Sequence, residues 1–369
     1  MNGAPDRLSI TVVGAGVLGV WQAYELARRG HRITLREAAP EHATGAASRI
    51  AGAMLAPYCE AEAAQTDITT LGLRGLARWR EVWPELPARG TLVVASARDT
   101  GERERFSRMT DGHRHIGSAE IATLEPELAE RFACALYYPD EAHMPPRLGL
   151  SLMIARLRQL DVGICFGAPV CEPLWMAAAA GDIVIDCRGI AARCDLPALR
   201  GVRGEMAIVR ADTVQLSRPI RLLHPRSPTY VVPWGDATYM IGATMIESSC
   251  AGHVSVRSAL ELLGAATAIH PGFADARIVE LSAGVRPAYD DNLPKLVWRG
   301  RCLSVNGAYR HGFLLAPALA GIVADHLETG SRLPDLLTGA TTLPPDDRLH
   351  LGPMPPRPQL HGSSTTQSE

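Results

Sequence analysis

Three glycines, spaced as Gly14-Ala15-Gly16-Val17-Leu18-Gly19, follow the apolar run Leu8 to Val13 and precede a helix-forming segment. There the first glycine makes a tight turn, the second lets a pyrophosphate approach the backbone, and the third lets helix and strand pack closely. The helix starting at Val17 offers free N–H groups and the positive end of its dipole to the phosphates. A second strand, His31 to Glu37, ends in an acid 23 residues after Gly14. A carboxylate there accepts hydrogen bonds from a ribose 2′-hydroxyl and repels a 2′-phosphate, which disfavours NADP. Strand, glycines, helix, strand and acid in this order point to a bound dinucleotide rather than to a glycine-rich turn.

After Glu37 comes Thr44-Gly45-Ala46-Ala47-Ser48-Arg49-Ile50-Ala51-Gly52-Ala53-Met54, where small residues let a bulky ligand lie against the backbone. A flavin, with its long ribityl chain and tricyclic ring, needs such a run; a nicotinamide does not. Near the other end, Val305-Asn306-Gly307-Ala308-Tyr309-Arg310-His311-Gly312 joins a strand to a helix expected to carry Pro317 in its first turn. Aimed at the flavin's pyrimidine end, that helix N-terminus would stabilise an anionic reduced flavin.

Arg286 lies between Gly284 and Pro287 at the end of a strand expected over Arg277 to Leu281, where an arginine most often makes a surface ion pair. A planar guanidinium holds a carboxylate by two parallel hydrogen bonds and so orients a small acid. Tyr230 and Met245 lie on an expected hairpin, Tyr230 to Trp234 and Ala237 to Met245, turning at Gly235-Asp236. A two-residue loop there would oppose Tyr230 to Ile241 and put Ile241, Ala243 and Met245 on the face of Tyr230. Arg310, beside glycines at a helix start, is equally placed to hold the flavin or another loop, and Met245 equally suits a core. His311 has no assigned role. No Ser-His-Asp order, paired-carboxylate motif, C-x-x-C pair or metal-ligand spacing stands out.

The elements that must position these residues are short. Further strand-like runs fall at Gly90 to Ser96, Val162 to Phe166, Asp182 to Asp186, Glu205 to Val209, Thr238 to Ala243 and Cys302 to Val305. Helical periodicity is clearest at Val17 to Arg29, Arg147 to Leu160, Val256 to Ala268 and Pro317 to Glu328. This is an α/β or α+β chain with at least two sheets. Its 369 residues carry a net charge of −2, which argues against nucleic acid or an anionic membrane as the main partner. The uncharged stretch Gly312 to Ala324 is 13 residues long, too short for a membrane span needing about 20. The apolar run Ile10 to Ala23 has its basic pair, Arg28-Arg29, behind it rather than ahead, unlike a secretory leader. Eight scattered cysteines read as buried thiols of a reducing cytoplasm. Beyond Ser331 the polar composition reads as a tail.

Taken together, the motifs resemble the glycine oxidase branch of the D-amino acid oxidase family of FAD flavoproteins. The likeness rests on the dinucleotide fingerprint, Ser48 to Pro57, Arg203-Gly204-Glu205, Tyr230-Val231-Val232-Pro233, Ile241 to Met245, Gly284-Val285-Arg286-Pro287, and Tyr309 to Pro317. The resemblance implies an α/β architecture in which a Rossmann-like, glutathione-reductase-type FAD domain (1–78, 144–204, 286–332) interleaves with an α+β substrate domain (79–143, 205–285) built on a mixed or antiparallel sheet. Residues 333–369 are left as a tail. It implies FAD contacts at Gly14, Ala15, Gly16, Val17, Leu18, Gly19, Glu37, Ser48, Gly52, Met54, Val170, Gly189, Gly307, Arg310, Gly312 and Leu314. It also implies a substrate clamp of Arg286 and Tyr230, with Arg310 and Met245 nearby. The turn reads Gly307-Ala308 where the family often has Gly-His, so no histidine role transfers. No cysteine near Arg286 is available to attach a flavin, so FAD is expected to be non-covalent.

The activity implied is oxidation of glycine or another small amino acid to an imino acid, with oxygen as acceptor and peroxide as product, supplying the thiazole branch of thiamine biosynthesis. Alternatives are a D-amino acid, sarcosine or proline dehydrogenase reducing a quinone, a flavin-dependent 2-hydroxy acid oxidase, and a non-enzymatic FAD module. A cytoplasmic protein without metal, nucleic acid or membrane span is expected, with homo-oligomerisation left open.

Overall fold

β-Branched residues at Ile10, Val12 and Val13 form the strand Ser9–Val13, which feeds the helix Val17–Arg28 and returns as the parallel strand Arg32–Arg36. In this computed structural model, residues 7–40, 44–63, 66–170, 174, 182–225 and 228–338 are described. The two strands lie inside a six-stranded sheet in the order Lys295–Arg299, Cys302–Asn306, Ile183–Asp186, Ser9–Val13, Arg32–Arg36, Gly163–Cys165. Only Lys295–Arg299 runs antiparallel to its neighbour there. Strands covered on both faces read as apolar runs, which is why this segment of the sequence is legible as strand.

Helices Val17–Arg28, Thr66–Val82 and Gly312–Thr329 meet through an aromatic stack. Trp21 lies edge-on to Trp79 at 4.9 Å, and Trp79 stacks on Phe313 at 6.1 Å. The Thr66–Val82 helix, which the sequence reading did not identify, brings Gly75 so close that a Cβ there would lie 1.8 Å from the Leu314 carbonyl oxygen. The last long helix begins five residues before Pro317, not at it. Proline inside a helix leaves the carbonyl four residues back without its usual donor. Here that carbonyl belongs to Phe313, and the Trp79 indole N–H supplies the bond at 2.7 Å.

The second sheet has nine strands. Its main path is Ile246–Glu247, Arg200–Arg210, Thr238–Gly242, Thr229–Gly235, Ile220–Leu223, Thr91–Ala95, Cys134–Tyr138, Arg114–Gly117, and Arg277–Ala288 also pairs with Arg200–Arg210. The sheet is mixed: Ile220–Leu223 and Thr91–Ala95 are parallel, the other pairs antiparallel. Arg277–Ala288 runs 12 residues, so Arg286 lies within a strand rather than beyond one. Both Arg200–Arg210 and Arg277–Ala288 cross the expected domain boundaries.

The hairpin departs from the expected register. Its loop is Asp236-Ala237, both at positive φ (48° and 53°), and the pairing shifts between Pro233 and Gly235, with Trp234 as the extra residue. Tyr230 therefore opposes Gly242, not Ile241. A slip of one residue moves a side chain to the opposite face. Ile241 and Val231 enter one core, while Tyr230 packs with Val232 and Met240 in another. Met245 lies beyond the strand, which ends at Gly242.

The expected tail begins as structure. Asp335–Thr338 is helical, Leu333 and Leu337 are buried, and Lys295 Nζ donates to the Leu336 carbonyl at 3.0 Å. Residues 339–369 lie outside the described residues. Among the described residues no helix is long and apolar enough to cross a membrane, and no group of side chains could hold a metal.

Candidate active site

Two glycines of the first turn, Gly14 and Gly19, sit where any side chain would collide with backbone. A Cβ on Gly14, whose φ is +100°, would lie 2.6 Å from the Cys187 carbonyl oxygen, and one on Gly19 would lie 1.7 Å from the Gly14 carbonyl oxygen. Gly16 faces Ser48, whose hydroxyl accepts from the Val17 N–H at 3.2 Å. Glu37 closes the loop: its carboxylate accepts from the Ala15 N–H at 2.6 Å and the Ala39 N–H at 2.9 Å. A carboxylate has about four lone-pair sites, so two remain for ribose hydroxyls. Val170 packs against Val13 and Val184 beside this loop, whereas the Leu18 side chain belongs to the core.

The second turn arrives at the same place. A Cβ on Gly312 would lie 3.3 Å from the Val17 side chain, so two helix N-termini meet. The first i to i−4 bond of the later helix runs from the Leu315 N–H to the His311 carbonyl at 2.9 Å, leaving the N–H groups of Gly312, Phe313 and Leu314 without intrahelical acceptors. The Leu314 side chain itself is buried against Gly72, so only its N–H can serve a ligand. Asn306 ties the second turn to the short helix Gly189–Cys194, donating to the Gly189 carbonyl at 2.9 Å and accepting from the Gly307 N–H at 2.8 Å. The donors and the bare cradle fit an FAD pyrophosphate and flavin, with Ser48, Gly52 and Met54 on one side and Gly307 to Leu314 on the other.

Above this cradle the second sheet presents Tyr230 and Arg286. Tyr230 fits because its neighbours lack side chains: a Cβ would lie 2.7 Å from its ring on Gly52 and 3.0 Å on Gly242. Burial raises the Tyr230 pKa against the pull of Arg286, so the phenol keeps its proton. Arg286 lies over Gly204, where a Cβ would be 2.2 Å from Nη2. Its Nη1 donates to the Thr244 carbonyl at 3.0 Å, and it pairs with no carboxylate among the described residues. Burial lowers its pKa from the ordinary value, though a guanidinium remains a cation. Thr244 is itself fixed, its N–H on the Glu205 carbonyl at 3.1 Å and its hydroxyl accepting from the Glu205 N–H at 2.9 Å.

Arg310 differs from Arg286. Its guanidinium lies on both oxygens of Glu60, Nη2 to Oε1 at 3.0 Å and Nε to Oε2 at 2.8 Å. Burial opposes ionisation, yet Arg310, His311 and Arg221 hold the Glu60 carboxyl well below the usual range, and Glu60 raises the Arg310 pKa against the same opposing effect. Met245 is half-exposed, with its sulfur 3.5 Å from the Tyr309 hydroxyl and 3.8 Å from Arg310 Nη1. The structure thus brings Arg286, Tyr230, Arg310 and Met245 into one cluster. Sequence reasoning missed Glu60, Thr244 and the space at Gly204. Arg203-Gly204-Glu205 was visible as a motif, but only strand pairing shows which side chain needs its glycine.

A dinucleotide cradle of two helix N-termini beneath an arginine–tyrosine wall defines a flavoprotein architecture. The chain belongs to the DAO family of FAD-dependent oxidoreductases, whose model matches residues 9–326. It is 49% identical over 329 residues to a putative thiamine biosynthesis oxidoreductase ThiO of Rhizobium etli, covering 89% of this chain and 99% of that one. It is 28% identical over 359 residues to glycine oxidase of Geobacillus kaustophilus, covering 87% and 93%. The crystal structure of glycine oxidase from Geobacillus kaustophilus superposes with a TM-score of 0.74 at 24% identity, covering 89% of this chain and 97% of that one. An L-proline dehydrogenase structure from P. horikoshii scores 0.74 at 17% identity over 89% and 96%. Likeness at that identity is one of fold.

Proposed function

We propose that the protein oxidises glycine or another small amino acid to its imino acid, with non-covalent FAD and with oxygen as the final acceptor, and that the imine serves the thiazole branch of thiamine biosynthesis. The observation that carries this reading is Arg286: a guanidinium without a carboxylate partner among the described residues, beside a protonated tyrosine and above the dinucleotide cradle. The 49% identical ThiO relative supports the metabolic role. The cradle at Gly14–Gly19 and Gly307–Leu314 would hold FAD, which would supply a two-electron acceptor for the substrate's Cα–N unit, with oxygen taking the electrons as hydrogen peroxide.

The chain's own residues do the positioning. Arg286 receives the substrate carboxylate on its planar fork, and the Tyr230 phenol donates to the same group. Fixing one end of a two-carbon acid orients its Cα and amine, and such orientation alone can supply about 7 to 11 kcal/mol of the barrier. The fold supports a division in which the six-stranded sheet holds FAD and the nine-stranded sheet covers the substrate. No cysteine occurs from Gly284 to Asp291, which supports non-covalent FAD. The seven described cysteines are free thiols, in keeping with a cytoplasmic location, but only Cys59, Cys187 and Cys302 are buried; Cys165, Cys194 and Cys250 are exposed, contrary to the expectation of buried thiols.

The test is an anaerobic panel of amino and 2-hydroxy acids, followed by loss of flavin absorbance. Glycine or a small amino acid is expected to bleach the flavin, with stoichiometric peroxide on readmitting oxygen. Bleaching by hydroxy acids alone, or fast reduction of a quinone analogue with negligible peroxide, would overturn the reading.

A further inference from the structure

Two guanidinium groups reach the proposed substrate wall in different electrostatic states. Arg286 is free to receive an anion, whereas Arg310 is covered on two of its nitrogens by Glu60. Two cations and an imidazole surround Glu60: Arg310, Arg221 Nη1 at 3.7 Å and His311 Nδ1 at 3.1 Å. Arg221 already has a carboxylate, Glu62, at 2.8 Å, so Glu60 is the group that neutralises Arg310. Both side chains retain some exposure, 13% for Glu60 and 21% for Arg310, and Arg310 Nη1 reaches Met245 at the proposed pocket.

We propose that Glu60 sets the charge class of the substrate: by occupying Arg310 it leaves one free guanidinium, so the site admits a monocarboxylate and rejects a dicarboxylate. The inference rests on the amino acid reading given above. A second substrate carboxylate approaching Arg310 would meet only Nη1, since Nη2 and Nε lie on Glu60, and so no bidentate fork, with a like charge beside it. Discrimination by an unfavourable element, added to the attraction of Arg286 for the first carboxylate, is a common route to specificity. Removing the Glu60 charge while keeping its shape leaves Arg310 without a neutralising carboxylate and shifts the preference toward a second carboxylate.

The experiment uses FAD-loaded protein and two isosteric ligands, malonate and its monoamide malonamate, titrated by their perturbation of the flavin absorbance. The unmodified protein is expected to favour malonamate. Glu60→Gln is expected to shift the malonate-to-malonamate affinity ratio toward malonate by about tenfold to a hundredfold, the worth of one charge-assisted hydrogen bond. The double variant Glu60→Gln with Arg310→Gln should lose that gain. An unchanged ratio in Glu60→Gln, with malonamate binding intact, overturns the proposal. Should Glu60→Gln fail to retain FAD, Arg310→Gln decides: it strands the Glu60 charge, so malonate binding should fall at least about tenfold more than malonamate binding, and equal falls overturn the proposal. A shifted ratio in a protein whose flavin no amino acid reduces would sustain the charge filter and sink the oxidase reading. An unchanged ratio in an active oxidase would do the reverse.

Discussion

Gly204→Ala tests the placement of Arg286 without touching Arg286. Gly204 is buried within the strand Arg200–Arg210, opposite Gly284. An added Cβ would lie 2.2 Å from Arg286 Nη2 and 2.3 Å from both Cζ and Nη1. Those atoms are the far end of a flexible side chain, so the strand can keep its pairing while the guanidinium is displaced. Displacement breaks the 3.0 Å bond to the Thr244 carbonyl and withdraws the fork from the substrate carboxylate. Each charge-assisted bond is worth about 1.5 to 3 kcal/mol, and a misplacement of about 1 Å can lower rate on the order of a hundredfold. We therefore expect kcat/KM for glycine to fall on the order of a hundredfold or more, with FAD content unchanged. Peroxide production gives the rate, and flavin released by acid gives the occupancy. Near-normal turnover would show that Arg286 does not bind substrate from this position. Parallel loss of FAD and activity would assign Gly204 to the framework instead.

Arg286→Lys keeps the charge but loses the planar fork, so steady-state assays should show kcat/KM lower by about tenfold to a hundredfold at constant flavin content. Acid precipitation should release all the chromophore as FAD; flavin in the pellet would contradict non-covalent binding. Trp79→Phe removes the donor to the Phe313 carbonyl, and denaturant unfolding should show a loss of about 1 to 3 kcal/mol. Glu141, wholly buried, has its pKa pushed up by burial from 4.5 to about 7, so the folded state holds its proton more tightly than the unfolded state. Stability should fall as pH rises from 4.5 through 7, by about 3 kcal/mol on this account, and Glu141→Gln should lack that slope in denaturant titrations at pH 5 and 8.

The first dinucleotide turn was legible because all its parts are adjacent in sequence and each has a backbone reason to be what it is. The hairpin was legible as a hairpin but not in register. Moving the two-residue loop from Gly235-Asp236 to Asp236-Ala237 would by itself keep Tyr230 on its face; the extra residue Trp234, which no turn signal marks, moves it to the other. The later helix was legible but misplaced at its start, because Pro317 resembles a first-turn proline until Trp79, 238 residues earlier, is seen to serve the Phe313 carbonyl. Glu60 was silent for the same reason. Its local setting, Tyr58-Cys59-Glu60-Ala61-Glu62, resembles any acidic surface turn, and its partner lies 250 residues away.

What the site requires of distant segments is often the absence of a side chain. Tyr230 occupies space left by Gly52, in the loop before Met54, and by Gly242 on the paired strand, and Arg286 occupies space left by Gly204 on the neighbouring strand. Tyr289, beneath the second turn, lies where a Cβ on Gly307 would be 2.3 Å from its ring. Interiors are packed too densely for such collisions to be absorbed without movement. A glycine in these places therefore fixes the position of one particular large side chain, and substitution shows first as a displaced partner rather than as a lost fold. This is why the clamp can be built from strands of the second sheet while the cofactor cradle belongs to the first. The pieces need no shared loop, only a cavity of the right shape left by each for the other. On that argument Gly52→Ala, 2.7 Å from the Tyr230 ring, should weaken carboxylate binding by displacing the phenol, although Gly52 has no side chain of its own to offer the carboxylate.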